Sequence, residues 1–364
     1  MTKQISVGNI LIGGGAPISI QSMTNTNTVD AGATIAQINS LVACGCEIVR
    51  LAVPGQAAVK ALSEIIPESS CPLIADIHFD YRLALGAIDA GINAIRINPG
   101  NIGDKDKIRI LAEKAGDAGV PIRVGANSGS LPADIKNTMQ SKGNSIDAKA
   151  EALVESALRQ CRILEEFRFN NIKVSLKSSS VPVTVKAYKH FSQISDYPLH
   201  LGVTEAGSIT IGTVKSSIGI GSLLLDGIGD TLRVSLTAAP EEEIKIAKLI
   251  LESIGIRRSD LEIISCPTCG RTEFDLIDLV QKVENIVHNL KANGKVIKIN
   301  KLAVMGCVVN GPGEASDAEL GIAGVKGGKA SLFMQGKSIG VFSLQEALER
   351  LEEALCCNDT HLGI

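Results

Sequence analysis

The chain has no tryptophan, three tyrosines and seven phenylalanines, so aromatic residues make up only 3% of its 364 positions. Its net charge is −3 and no basic block interrupts the sequence. Nucleic-acid binders need clustered Lys and Arg for the phosphates, and single-strand binders also need aromatic platforms for the bases. Both are missing, so no nucleic-acid partner is expected. Long apolar runs are missing too. A membrane span requires roughly 18–20 apolar residues in succession, yet the most apolar stretch, 209–228, is broken by Lys215, Ser216, Ser217, Asp226 and several glycines. Lys3, Gln4 and Asn9 break up the first ten residues, which excludes the apolar core of a signal peptide. No membrane association is expected, and the expected location is cytoplasmic, where thiols stay reduced.

Against that background nine cysteines, an odd number, speak against a disulfide framework. Cys44, Cys46, Cys71 and Cys161 sit among apolar neighbours and read as small buried hydrophobes. Cys356 and Cys357 close a C-terminal helix and carry no evident chemistry. Cys266, Cys269 and Cys307 remain.

From Pro17 to Thr237, eight β-rich runs alternate with amphipathic helical stretches. They are 18–23, 47–53, 73–79, 94–98, 121–127, 172–178, 199–204 and 231–236. Eight β/α units in about 220 residues predict a (β/α)8 TIM barrel, typically ~250 residues. A doubly wound sheet would place a glycine-rich fingerprint after its first strand, whereas here Thr24-Asn25-Thr26-Asn27-Thr28 follows.

Side chains alternate faces along a strand, and barrel helices cover the outer one. Arg50 alternates with Val49 and Leu51, Asp76 and His78 with Ala75 and Ile77, and Arg96 and Asn98 with Ile95 and Ile97. Arg123 and Asn127, Lys173, Ser175 and Lys177, and Arg233 and Ser235 follow the same rule. The apolar set therefore points outward and the polar set into the barrel. A purely structural barrel fills its interior with branched aliphatics. Burying this many cations without a partner is costly, so an anionic ligand is expected. Three helix ends repeat the pattern: Gly45, Gly91 and Gly119 each close a helix and precede Arg50, Arg96 and Arg123 by four or five residues. Glu205 is out of phase with its strand and is expected in the loop just beyond it.

After Thr237 the character changes. A helix opening at Pro240 and an alternation of strands and helices to the end predict a compact α/β domain of about 125 residues. The division expected is 1–239 for the barrel and 240–364 for the second domain.

In that second domain lie Ser265-Cys-Pro-Thr-Cys-Gly-Arg271 and Met305-Gly-Cys-Val-Val-Asn-Gly-Pro-Gly-Glu-Ala315. A CxxC pair lets two thiolates converge from one turn, and Cys307 supplies a third from another strand end. Three cysteines plus an oxygen donor, with Glu314 the candidate, suit an iron–sulfur cluster whose non-cysteine corner stays open to substrate. A zinc knuckle is the rival reading, because Cys-Pro-x-Cys-Gly is common there too, though no second CxxC completes four soft ligands. That rival would make the chain a non-redox barrel enzyme acting on a phosphorylated substrate.

These two motifs, with VGNILIGGGAPISIQSMTNTNTVD at 7–30, ADIHFDYRLAL at 75–85, RINPGNIGDKDKIR at 96–109, HLGVTEAG at 200–207 and GIGDTLRVSL at 227–236, closely resemble the 4-hydroxy-3-methylbut-2-en-1-yl diphosphate synthase family. The likeness extends over nearly the whole chain. It lacks the domain that longer members insert, and so is similar to the short, bacterial form. The resemblance implies a barrel joined to an oxidoreductase domain with one 4Fe–4S cluster held by Cys266, Cys269, Cys307 and Glu314. It implies reductive opening and dehydration of 2-C-methyl-D-erythritol 2,4-cyclodiphosphate in the non-mevalonate isoprenoid route. Arg50, Arg96, Arg123, Asn127 and Lys177 would hold the cyclic diphosphate, and Glu205 would act near the leaving hydroxyl. Asp76, His78 and Asn98, on the same inward faces, join them as expected binding residues. The resemblance also implies a head-to-tail homodimer, with ferredoxin or flavodoxin as electron donor. No nucleotide-binding fingerprint points to direct use of NADPH.

Overall fold

The computed structural model describes residues 1–258, 261–307, 315 and 317–356. It divides into two compact units, Met1–Arg257 and Arg258–Ile364. Among the described residues no helix is long and apolar enough to cross a membrane.

The first unit opens with a short antiparallel hairpin, β1 (Ile5–Val7) and β2 (Ile10–Ile12), turned at Gly8, whose φ of +57° favours glycine. Eight parallel strands follow: β3 (Ser19–Met23), β4 (Ile48–Ala52), β5 (Leu73–Asp76), β6 (Ala94–Ile97), β7 (Ile122–Asn127), β8 (Ile172–Lys177), β9 (His200–Leu201) and β10 (Thr231–Leu232). Their order is β8-β7-β6-β5-β4-β3-β10-β9, and a parallel bridge between Val174 and Leu199 joins the two ends of that row. The eight expected strands are these eight, and the barrel is the expected one.

Helices between strands bury one stripe each. Tyr81–Asp89 starts on the Asp80 cap and buries Leu83, Ala84, Ala87 and Ile88; Lys105–Asp117 starts on Asp104 and buries Ile108, Leu111, Ala112 and Ala115. Gly45, Gly91 and Gly119 all have positive φ (+98°, +90°, +67°), as a residue just past a helix end requires. The outward strand residues Val49, Leu51, Ala75, Ile77, Ile95, Ile97, Ile122 and Val124 join the helices in one core. At the strands' N-terminal ends, Ile48, Ile74 and Ala94 point inward and pack on Ile5, Val7 and Ile12 of the hairpin. The hairpin thus covers an apolar part of the barrel floor.

Helix Pro240–Ser253, assigned by sequence to the second domain, belongs to the first unit. Its Ile244, Ala247, Ile250 and Leu251 are part of the barrel core, and its Glu243 reaches Arg233 and Ser22. The observed division thus falls after Arg257, one helix later than the division drawn at 239/240.

The second unit is a five-stranded sheet in the order β11 (Glu262–Ser265), β12 (Lys301–Met305), β13 (Leu320–Val325), β14 (Lys329–Met334) and β15 (Lys337–Ser343). The first three are parallel and the last two antiparallel to their neighbours. Helices Leu276–Ala292 and Leu344–Cys356 pack Leu279, Val283, Val287, Ala347, Leu351 and Leu355 onto Leu302, Val304, Leu320, Ile322 and Leu332. Strand β13 has no counterpart in the sequence reading. Its Gly321 and Gly324 lower intrinsic strand propensity. Both are required here, because a Cβ at 321 would strike the Phe333 ring and one at 324 would strike Phe274.

Candidate functional site

Active residues of barrels of this type gather at the C-terminal ends of the strands. Here Arg50 (β4), Arg96 (β6), Arg123 and Asn127 (β7), Lys177 (β8) and Arg233 (just past β10) line one cavity of about 120 Å³, with Ser175, Thr204 and Ser235. Five cations and no carboxylate face it. The register explains the convergence: Arg96 lies beside Arg123, and Asn127 beside Lys177, on adjacent strands. Gly125 and Gly202 keep the space open. A Cβ at 202 would come within 2.6 Å of Lys177 Nζ.

Two carboxylates balance part of this charge from beside the cavity. Asp76 takes Arg96 Nη1 at 3.2 Å and faces Arg50 Nε at 3.7 Å and His78 Nε2 at 3.6 Å. Burial works against its ionisation, but Arg50, His78 and Arg96 together outweigh burial and hold its carboxyl below the ordinary range. Glu243 takes Arg233 Nε at 3.2 Å. Arg123 has no such partner. It is 4% exposed, and neither its Nε nor its Nη1 makes a hydrogen bond. Burial, then the charges of Arg50 and Arg96, push its proton affinity well down. Burial, then the charges of Arg123, Arg233, Arg50 and Arg96, do so for Lys177. Buried donors without acceptors, surrounded by like charge, describe a site shaped for an anion.

The remaining expected residues lie around this cavity and do not line it. Asp76 and His78 stand behind Arg96. Asn98 caps the short helix Pro99–Ile102, accepting from the Gly100 amide at 3.1 Å. Glu205 is exposed in the loop after β9, one residue beyond Thr204, with φ +51°. Non-glycine residues held in that region store strain and cluster at functional sites. Arg233, Thr204, Ser175 and Ser235 complete the lining without having been named as binding residues, although Arg233, Ser175 and Ser235 carry the same inward parity.

In the second unit, Cys266 follows β11 and Cys307 follows β12, which are parallel neighbours with Ser265 beside Val304. The Gly306 amide donates to Cys266 Sγ at 3.2 Å, and the Gly306 carbonyl accepts from the Glu273 amide at 3.0 Å. Cys269 sits on the turn between, its amide bonded to Thr272 Oγ1 at 3.0 Å. Hydrogen bonds from the Arg271 backbone and side chain lower the proton affinity of the exposed Cys269 thiol. By contrast, burial raises Cys46 and Cys161 to about 12, as inert thiols should be. Among the described residues no three His, Cys, Asp or Glu side chains are drawn together as a metal-binding group. Glu314, the expected fourth donor, lies outside the described residues.

Residues 2–248 match the model of the GcpE TIM-barrel domain, and residues 262–356 match that of the GcpE protein C-terminal domain. The chain belongs to this family. A protein of Lawsonia intracellularis named 4-hydroxy-3-methylbut-2-en-1-yl diphosphate synthase (flavodoxin) is 55% identical, over 93% of this chain and 90% of its own. One of the same name from Clostridium acetobutylicum is 52% identical over 93% of both. A dihydropteroate synthase structure from Coxiella burnetii overlaps 68% of this chain and 96% of its own, at 10% identity and a TM-score of 0.49. That last likeness carries no argument. The family membership leaves no support for a non-redox enzyme with a zinc-stabilised appendage.

Proposed function

We propose that this chain is a 4-hydroxy-3-methylbut-2-en-1-yl diphosphate synthase of the cytosol, opening 2-C-methyl-D-erythritol 2,4-cyclodiphosphate by two-electron reduction with loss of water. The observation that carries this reading is the cavity of five cations, with Arg123 buried and unpaired. A cyclic diphosphate supplies the negative charge and the acceptor oxygens that these donors lack. Arginine forks match phosphate geometry in two-point contacts. Arg50, Arg96, Arg123 and Lys177 would clamp the diphosphate, and Asn127 would orient it. Asp76 keeps Arg50 and Arg96 aimed into the cavity. Glu205, exposed at the loop beyond Thr204, would deliver a proton to the leaving hydroxyl.

The cysteine set fits a 4Fe–4S cluster. Cys266 and Cys307 follow adjacent strands tied through Gly306, an amide already points at the Cys266 sulfur, and Cys269 lies on the turn after Cys266, where hydrogen bonds from Arg271 lower its proton affinity. Glu314 is proposed as the fourth donor. When bound, the cluster supplies the two electrons one at a time. Relatives carry flavodoxin in their names, and a flavodoxin is the donor proposed for this chain. A head-to-tail homodimer, one barrel facing the partner's cluster, is the proposed assembly.

The test is the iron, sulfide and zinc content of protein purified without oxygen. About four iron and four sulfide per chain is the expected result. One zinc with no sulfide, persisting after reconstitution, would sink the redox reading.

A further inference from the structure

Lys173 shares the inward face of β8 with Ser175 and Lys177, both of which line the cavity, but lies beneath them. It is 1% exposed and its Nζ makes no hydrogen bond. Its partner in register is Arg123, a second buried cation. From β9 comes His200, fully buried, with Nδ1 bonded to Thr231 Oγ1 at 2.8 Å and Nε2 unpartnered. Burial first, then Lys177 and Arg123, lowers the proton affinity of that imidazole well below its ordinary value. Asp230, just before β10, is the carboxylate that acts on Lys173. It already accepts from Thr2 Oγ1 and the Leu199 amide. An ammonium at Nζ in the empty barrel would thus be desolvated, unbonded and beside like charge.

We propose that Lys173 is a proton-accepting amine in the floor of the pocket, largely uncharged in the empty barrel under mildly alkaline conditions and charged once a diphosphate fills the cavity above, so that substrate binding draws a proton from solvent. The inference rests on the reading of that cavity as the diphosphate site. Burial first, then Arg123, brings Lys173 down to about 7, with Asp230 opposing. An anionic ligand on Arg123 cancels the nearest repulsion and raises the amine's proton affinity again. Linkage then requires binding to take up the proton, and to weaken as pH rises above the free value. The step moves one proton from solvent to Nζ and no electrons. Lys173 does not reach the substrate; it acts through the field at Arg123 and Lys177.

The experiment is calorimetric titration of oxidised, cluster-loaded enzyme with the cyclic diphosphate, without an electron donor, in buffers of differing ionisation enthalpy. At pH 8 wild type should take up about one more proton than Lys173→Met, and its Kd should rise about tenfold more per pH unit. Lys173→Arg, with a fixed charge, should bind without that uptake. Lys177 contributes to all three proteins and cancels in the differences. Equal uptake in wild type and Lys173→Met, or wild-type uptake near zero, overturns the proposal. A wild-type protein that releases no binding heat overturns the placement of the diphosphate instead.

Discussion

Replacing Arg123 by methionine should make the ligand-free barrel more stable while removing its function. Arg123 is 4% exposed and two of its three nitrogens have no acceptor. Methionine matches the aliphatic stem of arginine and leaves neither a charge nor a donor behind. Exchanging buried, poorly compensated charge for apolar volume stabilises proteins by about 1–4 kcal/mol. For a unit of this size each kcal/mol raises the melting temperature by about 2–4 °C. An apparent Tm higher by about 2–16 °C is therefore expected for the empty variant. Substrate should raise the Tm of wild type by mass action and leave the variant almost unchanged. Losing a desolvated arginine–phosphate contact costs about 2–5 kcal/mol, so kcat/KM should fall by about 30-fold to 5,000-fold. Thermal unfolding by circular dichroism, with and without the cyclic diphosphate, reads the first effect, and reductive turnover reads the second. An empty variant that melts below wild type would show Arg123 to be a structural cation with a partner, not a donor held for substrate.

Glu205→Gln should lower kcat about 10²–10⁴-fold while the Kd for substrate moves little, as expected for a proton donor that does not hold the diphosphate; single-turnover and binding measurements separate the two. Gly202→Ala should destabilise the barrel by about 1–3 kcal/mol and weaken substrate binding. Its Cβ would lie 2.6 Å from Lys177 Nζ and 2.7 Å from the Arg233 carbonyl, and that carbonyl is backbone. Asp76→Asn should cost about 3–5 kcal/mol at pH 7 by stranding Arg50 and Arg96. Because the folded carboxyl is held below its ordinary range, Asp76 contributes fully above about pH 4 and loses that contribution as pH falls further. Denaturant titrations at pH 7 and pH 3 should show the gap between wild type and variant narrowing in acid.

Much of this was legible in the residue pattern. Strand parity alone separated Arg50, Arg96, Arg123 and Lys177 from their outward neighbours, because period-two alternation survives in any strand with one face covered by helices. Parity could not say which inward residues reach the same cavity. Asn98 has the right phase, yet turns its side chain onto the Gly100 amide, a local hydrogen bond that a face assignment does not anticipate. Lys173 has the right phase as well, and lies one layer too deep. The final barrel helix was drawn into the second domain because its acidic start marks a boundary in sequence, whereas its buried stripe and Glu243 tie it to β3 and Arg233. Strand β13 escaped because its glycines answer to Phe333 and Phe274, contacts made by residues distant from the pattern being read. The three cysteines were singled out by their spacing, which does not identify the metal.

The most direct test is turnover. Protein purified and reconstituted without oxygen, reduced through flavodoxin, is incubated with 2-C-methyl-D-erythritol 2,4-cyclodiphosphate and the products are followed by phosphorus NMR and mass spectrometry. The expected product is a linear diphosphate, 4-hydroxy-3-methylbut-2-enyl diphosphate, formed with consumption of two electrons and abolished by Cys307→Ser. Unchanged cyclic diphosphate in the presence of a fully loaded, reduced cluster would contradict it.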